Sequence, residues 1–194
     1  MRTIVYRACG FCLVATASVW GAIVANAADD KALPPAVGDK ADDFTLADLK
    51  GNKVSLSELT ERGPVALVVL RGYVGGTCPF CTRQFSELIG AAKKFEKAGA
   101  TVAVIYPGTA LDLKTHAKQF IGAQRLPKSF RFLLDPDFQF ANAYHVRSQA
   151  PGDTAYPASF VIDGDDVVRF AQVGRSAIDR ASAATLLEAL PDSK

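Results

Sequence analysis

The sequence predicts an α/β domain with a mixed central sheet and helices on both of its faces. Apolar runs of strand length at 65–71, 101–106 and 130–134 alternate with stretches of helical spacing, which makes these strands parallel. Two later runs, 158–162 and 167–173, are joined only by Asp163-Gly164-Asp165-Asp166, a turn tight enough to force an antiparallel hairpin. Hydrophobic residues make up 49% of the chain and charged residues 22%, so a sizeable core is available and disorder is excluded.

The elements follow in order. A short strand is expected around Phe44–Leu46, with a turn at Lys50-Gly51-Asn52-Lys53 and a second short strand over Lys53–Ser55, together an N-terminal β-hairpin. Ser57 is placed as the cap of one helical turn reaching Thr60. Residues 65–71 are apolar without alternation, as in a strand buried on both faces. A Gly-rich loop, Gly72 to Thr77, leads into Cys78-Pro79-Phe80-Cys81. From Pro79 to about Lys97, the spacing of Phe85, Leu88, Ile89, Ala92 and Phe95 predicts one helix, with Pro79 in its first turn and Gly99 at its end. A weaker helix is expected over 111–121, carried by Leu111, Leu113, His116, Ala117 and Phe120, and a short one over 138–144. Residues 145–157 read as a loop, and Ser176 as the cap of a last helix running to about Leu190.

The N-terminus reads differently from the rest. Arg2 and Arg7 precede an uncharged, mostly apolar stretch over 8–25, and Ala25-Asn26-Ala27 gives the small-x-small pattern of a cleavage site. Residues 1–27 are therefore expected to be a secretory signal peptide, 28–36 a flexible lead and 37–194 the folded domain, in an exported, periplasmic or extracellular protein. The competing reading is an uncleaved anchor, since 8–28 is long enough to span a bilayer. Neither Cys9 nor Cys12 follows the run that a lipid-attachment signal needs. Cleavage removes two of the 22 basic residues and none of the 20 acidic ones, so the mature chain is formally neutral. A nucleic-acid partner, which would need a basic excess, is not expected, nor is stable membrane insertion after cleavage. Cleavage also removes Cys9 and Cys12 and leaves Cys78 and Cys81, too few for a disulfide-stapled scaffold.

Cys78 and Cys81 sit where a buried strand gives way to a helix. Free amides and the helix dipole favour an anion there, so the Cys78 thiol should ionise readily, and the thiolate is the attacking species in disulfide exchange. Cys81 lies one turn on and can resolve a mixed disulfide from the same helix. A C-x-x-C pair can be half of a zinc site, but the mature chain holds no second pair and neither His is suitably spaced. A disulfide closing so short a loop would constrain little chain, which leaves redox chemistry, with no cofactor or metal.

The run from Val37 to Val173 resembles the alkyl hydroperoxide reductase/thiol-specific antioxidant (AhpC/TSA) redoxins and their thiol–disulfide oxidoreductase relatives. Val37-Gly38-Asp39-Lys40-Ala41-Asp42-Asp43-Phe44-Thr45-Leu46 is similar to the family's opening segment, with Asp42 at a place where Pro is usual. Leu56-Ser57-Glu58-Leu59 and Pro157-Ala158-Ser159-Phe160-Val161-Ile162-Asp163-Gly164 are similar to two later pieces. The Arg71-Gly72 loop before the dithiol looks like a peroxiredoxin-like subgroup. The resemblance implies a thioredoxin fold, Cys78 and Cys81 as the redox pair, and a cis Pro157 facing it, where a substrate chain could dock as an added strand. It also implies a thiol reductant protein as one partner and a disulfide-containing protein or a peroxide as the other.

Two chemistries stay open within the family, and a third role outside them. In a thiol peroxidase, aligning Cys81 with the peroxidatic cysteine places Val74, Cys78 and Pro157 where the family's Pro, Thr and later Arg belong. All three positions depart. The oxidoreductase pattern keeps both cysteines and the proline, but Gln84 stands where relatives often carry Glu, and the 65–70 strand has no buried acid. The third reading is a redox-inert module holding a peptide in the groove near Pro157. Arg71 and Arg83 flank the pair and could favour a thiolate, although solvated positions suit them as well. His116 and His145 read as packing or surface residues, and Phe130, Phe132, Phe138 and Phe140 as core. Asp163–Asp166 needs no ion to form its turn.

Overall fold

The computed structural model describes residues 33–191, so the signal-peptide reading lies outside the described residues. Strands β1 (Thr45–Asp48) and β2 (Lys53–Ser55) form the N-terminal hairpin, followed by helix α1 (Leu56–Thr60). Strand β3 (Val65–Val69) leads through the dithiol loop to helices α2 (Pro79–Gly90) and α3 (Ala92–Lys97). Strand β4 (Thr101–Gly108), helix α4 (Ala110–Ile121), strand β5 (Phe130–Pro136) and helix α5 (Gln139–Ala143) come next. The chain closes with the hairpin β6 (Ala158–Ile162) and β7 (Val168–Val173) and helix α6 (Ala183–Glu188).

One sheet in the order β2-β1-β5-β4-β3-β6-β7 joins all seven strands. The alternating part, β3, β4 and β5, is parallel, while β6 and β7 run antiparallel, as the turn at Asp163–Asp166 requires. The Asp163 carboxylate accepts the Asp165 and Val167 amides, so the turn is closed from within.

Period-2 alternation of side chains divides the core into two layers. Val68, Leu70, Val104, Tyr106 and Phe132 face the layer that holds Cys78, Cys81, Phe85 and Leu186. Leu67, Val69, Ile105, Leu133 and Phe160 face the opposite layer, beneath Leu56, Leu59, Phe140 and Tyr144. The dithiol therefore belongs to the layer roofed by α2, α4 and α6.

Three local expectations change. The helix from Pro79 breaks at Ala91, whose near-zero ψ stops it just after Gly90, while Ala92 and Phe95 keep facing the core; the apolar spacing survives the break and so conceals it. The cap of α1 is Ser55 rather than Ser57, in a reciprocal box with Glu58. No helix starts at Ser176. Asp179 accepts the Arg175 amide and Gln172 Nε2, which holds 175–179 in a turn, and α6 begins only after Ser182, whose Oγ takes the Thr185 amide at 3.0 Å.

Candidate active site

Strand β3 carries the chain to Arg71 and Gly72, where it must turn sharply. Gly72 has φ +69, and a Cβ there would run into the Pro107 carbonyl, so only glycine allows the loop to lie against the end of β4. Tyr73 pairs with Thr77 across the loop, and its ring stacks on His116 of α4 at 3.6 Å between centroids. His116 is thus a packing residue and His145 is exposed, as expected of both.

Cys78 is the N-cap of α2, with Pro79 in the first turn. Both cysteines are free thiols, Cys78 at 4% exposure and Cys81 at 1%. Their ionisation is strongly asymmetric. The Cys81 thiol donates to the Cys78 sulfur and draws Cys78 down to about 5; burial opposes this, while the amides of Cys81 and Phe80 and the Arg180 charge assist it. Cys81 is pushed far up, first because its proton is held by Cys78 and then because it is buried.

The surrounding charges fall on two sides. Arg71 is not a solvated strand-end residue: its Nη2 and Nε reach Asp153 Oδ1 at 2.7 and 3.2 Å. Burial works against the Asp153 carboxylate, but the Arg71 hydrogen bond holds its pKa below the usual range. Arg147 donates to the carbonyls of Ser148, Asp153 and Thr154 and lies over the half-buried Phe138 ring at 3.9 Å, which organises the loop that presents Asp153. Arg83 is exposed on α2.

The site residue that sequence reasoning missed is Arg180. Its Nη2 lies 3.3 Å from Cys81 Sγ, its Nη1 donates to Gln84 Oε1 at 2.8 Å, and its Nε donates to the Ala177 carbonyl at 2.7 Å. Gln84, buried at 5% exposure, donates in turn to the Ala181 carbonyl at 3.1 Å. Glu87 accepts the Ala183 amide at 2.8 Å. The C-terminal segment is thereby fastened to α2 alongside the dithiol. A cleft of about 460 Å³, lined by Phe80, Arg83, Gln84, Glu87, Ile178 and Arg180, opens there. No spacing rule links residues 99 apart, and the expected helix over this segment obscured the turn that aims Arg180 inward.

Pro157 departs from expectation. No cis peptide occurs among the described residues, so Tyr156–Pro157 is trans. The Tyr156 amide donates to Val146 at 2.8 Å and the Pro157 carbonyl accepts from Gly174 at 2.7 Å. Both flanks are satisfied in the isomer an X–Pro bond prefers by default. The cis Pro157 that the resemblance implied is therefore not found. Among the described residues no cluster of His, Cys, Asp and Glu could hold a metal, and no helix is long and apolar enough to cross a membrane.

The sequence model of the AhpC/TSA family matches residues 37–171. A Mycobacterium tuberculosis protein described as a candidate peroxiredoxin is 34% identical over 140 residues, covering 70% of this chain and 83% of its own. The thiol-disulfide oxidoreductase ResA of Geobacillus kaustophilus is 28% identical over 134 residues, covering 69% and 67%. The crystal structure of peroxidoxin BcpB from Mycobacterium tuberculosis superposes with a TM-score of 0.63 at 24% identity, covering 81% of this chain and 96% of that one, a likeness of the thioredoxin-like fold. The chain belongs to the AhpC/TSA family and is a thiol-based oxidoreductase of thioredoxin-like fold.

Proposed function

We propose that the protein is an exported thiol–disulfide oxidoreductase in which Cys78 attacks a substrate disulfide and Cys81 resolves the mixed disulfide. The observation that carries this reading is the asymmetry of the pair: Cys78, at the start of α2, is ionised near pH 5 while Cys81 keeps its proton. A thiolate next to a held proton is set up for attack first and resolution second. The partners are a thiol reductant protein and a disulfide-bearing substrate.

The test is insulin reduction by the protein and its variants. Cys81→Ser should accumulate a mixed disulfide, and Cys78→Ser should abolish exchange. A Cys78→Ser protein that still reduces insulin sinks the assignment. Export is tested separately, by the N-terminal mass of protein recovered from the native host. A chain starting at Ala28 supports a cleaved signal, and a full-length chain in the membrane fraction supports an anchor.

One observation favours a peroxidase reading with Cys81 as the peroxide-reactive sulfur: an arginine lies on that sulfur at 3.3 Å, although not from the place where the family's Arg was sought. Cys81 is nearly inaccessible and its pKa is raised, which opposes that role. Sulfenic acid trapping on Cys78→Ser after hydrogen peroxide decides between the two. Rapid, stoichiometric labelling of Cys81, with no insulin reduction by the unmodified protein, establishes the peroxidase.

A further inference from the structure

We propose that Arg180 is a catalytic residue of the resolving step, its guanidinium holding the Cys81 sulfur as a thiolate once Cys78 has entered the mixed disulfide. This rests on Cys78 being the attacking thiol. Resolution requires Cys81 to ionise while it is 1% exposed, and β3 supplies no acid to receive its proton.

In the reduced protein the Cys78 thiolate binds the Cys81 proton and repels a second negative charge. Both effects vanish when the Cys78 sulfur becomes part of a disulfide. Tyr106 of β4 also faces the pair, but burial keeps its hydroxyl protonated. The Arg71 amide donates to Cys81, while the Arg71 guanidinium is engaged by Asp153. Arg180 remains, in direct contact. Among the described residues no carboxylate lies within 4.0 Å of it: Glu87 and Arg83 of α2 line the same cleft, but Glu87 accepts the Ala183 amide, and the partners of Arg180 are the Cys81 sulfur, a carbonyl and the neutral Gln84 amide. Its positive charge is therefore left for the sulfur. The guanidinium offers only N–H donors and no acceptor, so it cannot take the proton itself.

Cys81 loses its proton to water or buffer. The Cys81 thiolate attacks Cys78 Sγ, the Cys78–Cys81 bond forms, and the bond from Cys78 to the substrate sulfur breaks. That sulfur leaves as a thiolate and takes a proton from solvent. The substrate disulfide has gained two electrons, one from each cysteine.

The test uses full-length protein carrying Cys9→Ser and Cys12→Ser, mixed with 5,5′-dithiobis(2-nitrobenzoate) in a stopped-flow instrument. The first thionitrobenzoate reports attack by Cys78 and the second reports resolution by Cys81. In Arg180→Gln the first release at pH 7 should change less than about twofold, because Cys78 stays largely ionised. The pH midpoint of the second release should rise by roughly one to two units. Below that midpoint its rate should fall about three- to tenfold, the loss of thiolate being partly offset by the greater nucleophilicity of a more basic sulfur. Arg180→Lys should restore part of the rate. Gln84→Glu, which places a carboxylate on the guanidinium, should slow the second release without removing Arg180, and it carries the test should Arg180→Gln fail to fold. A second release with an unaltered midpoint and rate in Arg180→Gln, or unchanged or faster in Gln84→Glu, overturns the proposal. Loss of the first release from the unsubstituted pair overturns instead the assignment of Cys78 as attacker, and the proposal falls with it.

Discussion

The acidity of Cys78 should be visible as a displaced pH profile rather than as a higher rate at neutral pH. Its pKa falls from the ordinary thiol value of 9.0 to about 5, chiefly because Cys81 donates to it. At pH 6 about nine-tenths of such a sulfur is thiolate, against about a thousandth of an ordinary thiol. Intrinsic nucleophilicity falls with basicity, which returns a factor of about 40–100 over that range. The net advantage is then about ten- to twentyfold at pH 6 and shrinks to about twofold at pH 7. Cys81→Ala removes the largest cause and leaves the helix-start amides and Arg180 in place, so the midpoint should rise from about 5 by roughly one to two pH units. At pH 5 the thiolate fraction should drop from about one half to between about a tenth and a hundredth. Peptide-resolved iodoacetamide labelling across pH 4–9 measures this directly, with thiolate absorbance at 240 nm as the independent reading. A Cys78 midpoint near that of a free thiol, or one that Cys81→Ala leaves in place, refutes the reasoning.

The same asymmetry fixes how the couple responds to pH. Between about pH 5 and 9 the reduced pair holds one proton, so the potential should fall by about 30 mV per pH unit, steepening to about 59 mV below pH 5. Equilibration with glutathione at several pH values reads this, and a slope of 59 mV throughout contradicts it. Cys78, depressed in the fold, contributes stability that is present above pH 9 and lost as pH falls through about 5. Urea unfolding of reduced protein should therefore show that increment in the unsubstituted chain and not in Cys78→Ser. Asp153→Asn should cost about 1–2 kcal/mol by the same measurement, since it weakens the forked, half-buried contact with Arg71. Gly72→Ala should cost about 2 kcal/mol or more and depress insulin reduction, because φ +69 and the Pro107 carbonyl both exclude a side chain; a stable, active variant argues against the loop geometry.

The sheet was readable because its signals are local. The unalternating runs marked the buried strands, and Asp163–Asp166 marked the last hairpin; β2 and β6 fall where their residues placed them. Cys78 at a strand-to-helix junction is likewise a local pattern. The two misplaced caps share a cause: each depended on which of several polar groups a backbone amide finds. Ser55 and Ser57 both suit a cap, and Glu58 reaching back to Ser55 decides between them. Ser176 and Ser182 compete similarly, and Asp179 settles the matter by taking the Arg175 amide. Phe138, expected in the core, is instead half-buried under Arg147 with φ +61. Arg180 was beyond reach because its partner is fixed only when α6 and α2 meet.

Gln84 shows how a departure from a family pattern can be informative. Read along the chain, it was an absent proton-transfer acid. In the fold its amide is divided between two tasks, Oε1 accepting Arg180 and Nε2 donating to the Ala181 carbonyl. A carboxylate there could do only the first, and it would neutralise the guanidinium that touches Cys81. An acid and a cation ease ionisation of a buried sulfur by different routes. A buried acid must be in the correct protonation state, and its own pKa moves with burial, so it adds a second titration to the resolving step. A guanidinium is charged at every accessible pH and adds none. Resolution in this protein should accordingly follow a single ionisation, that of Cys81. Because Cys78 is ionised from about pH 5 upward, the pH dependence of turnover above that point should be set by resolution alone.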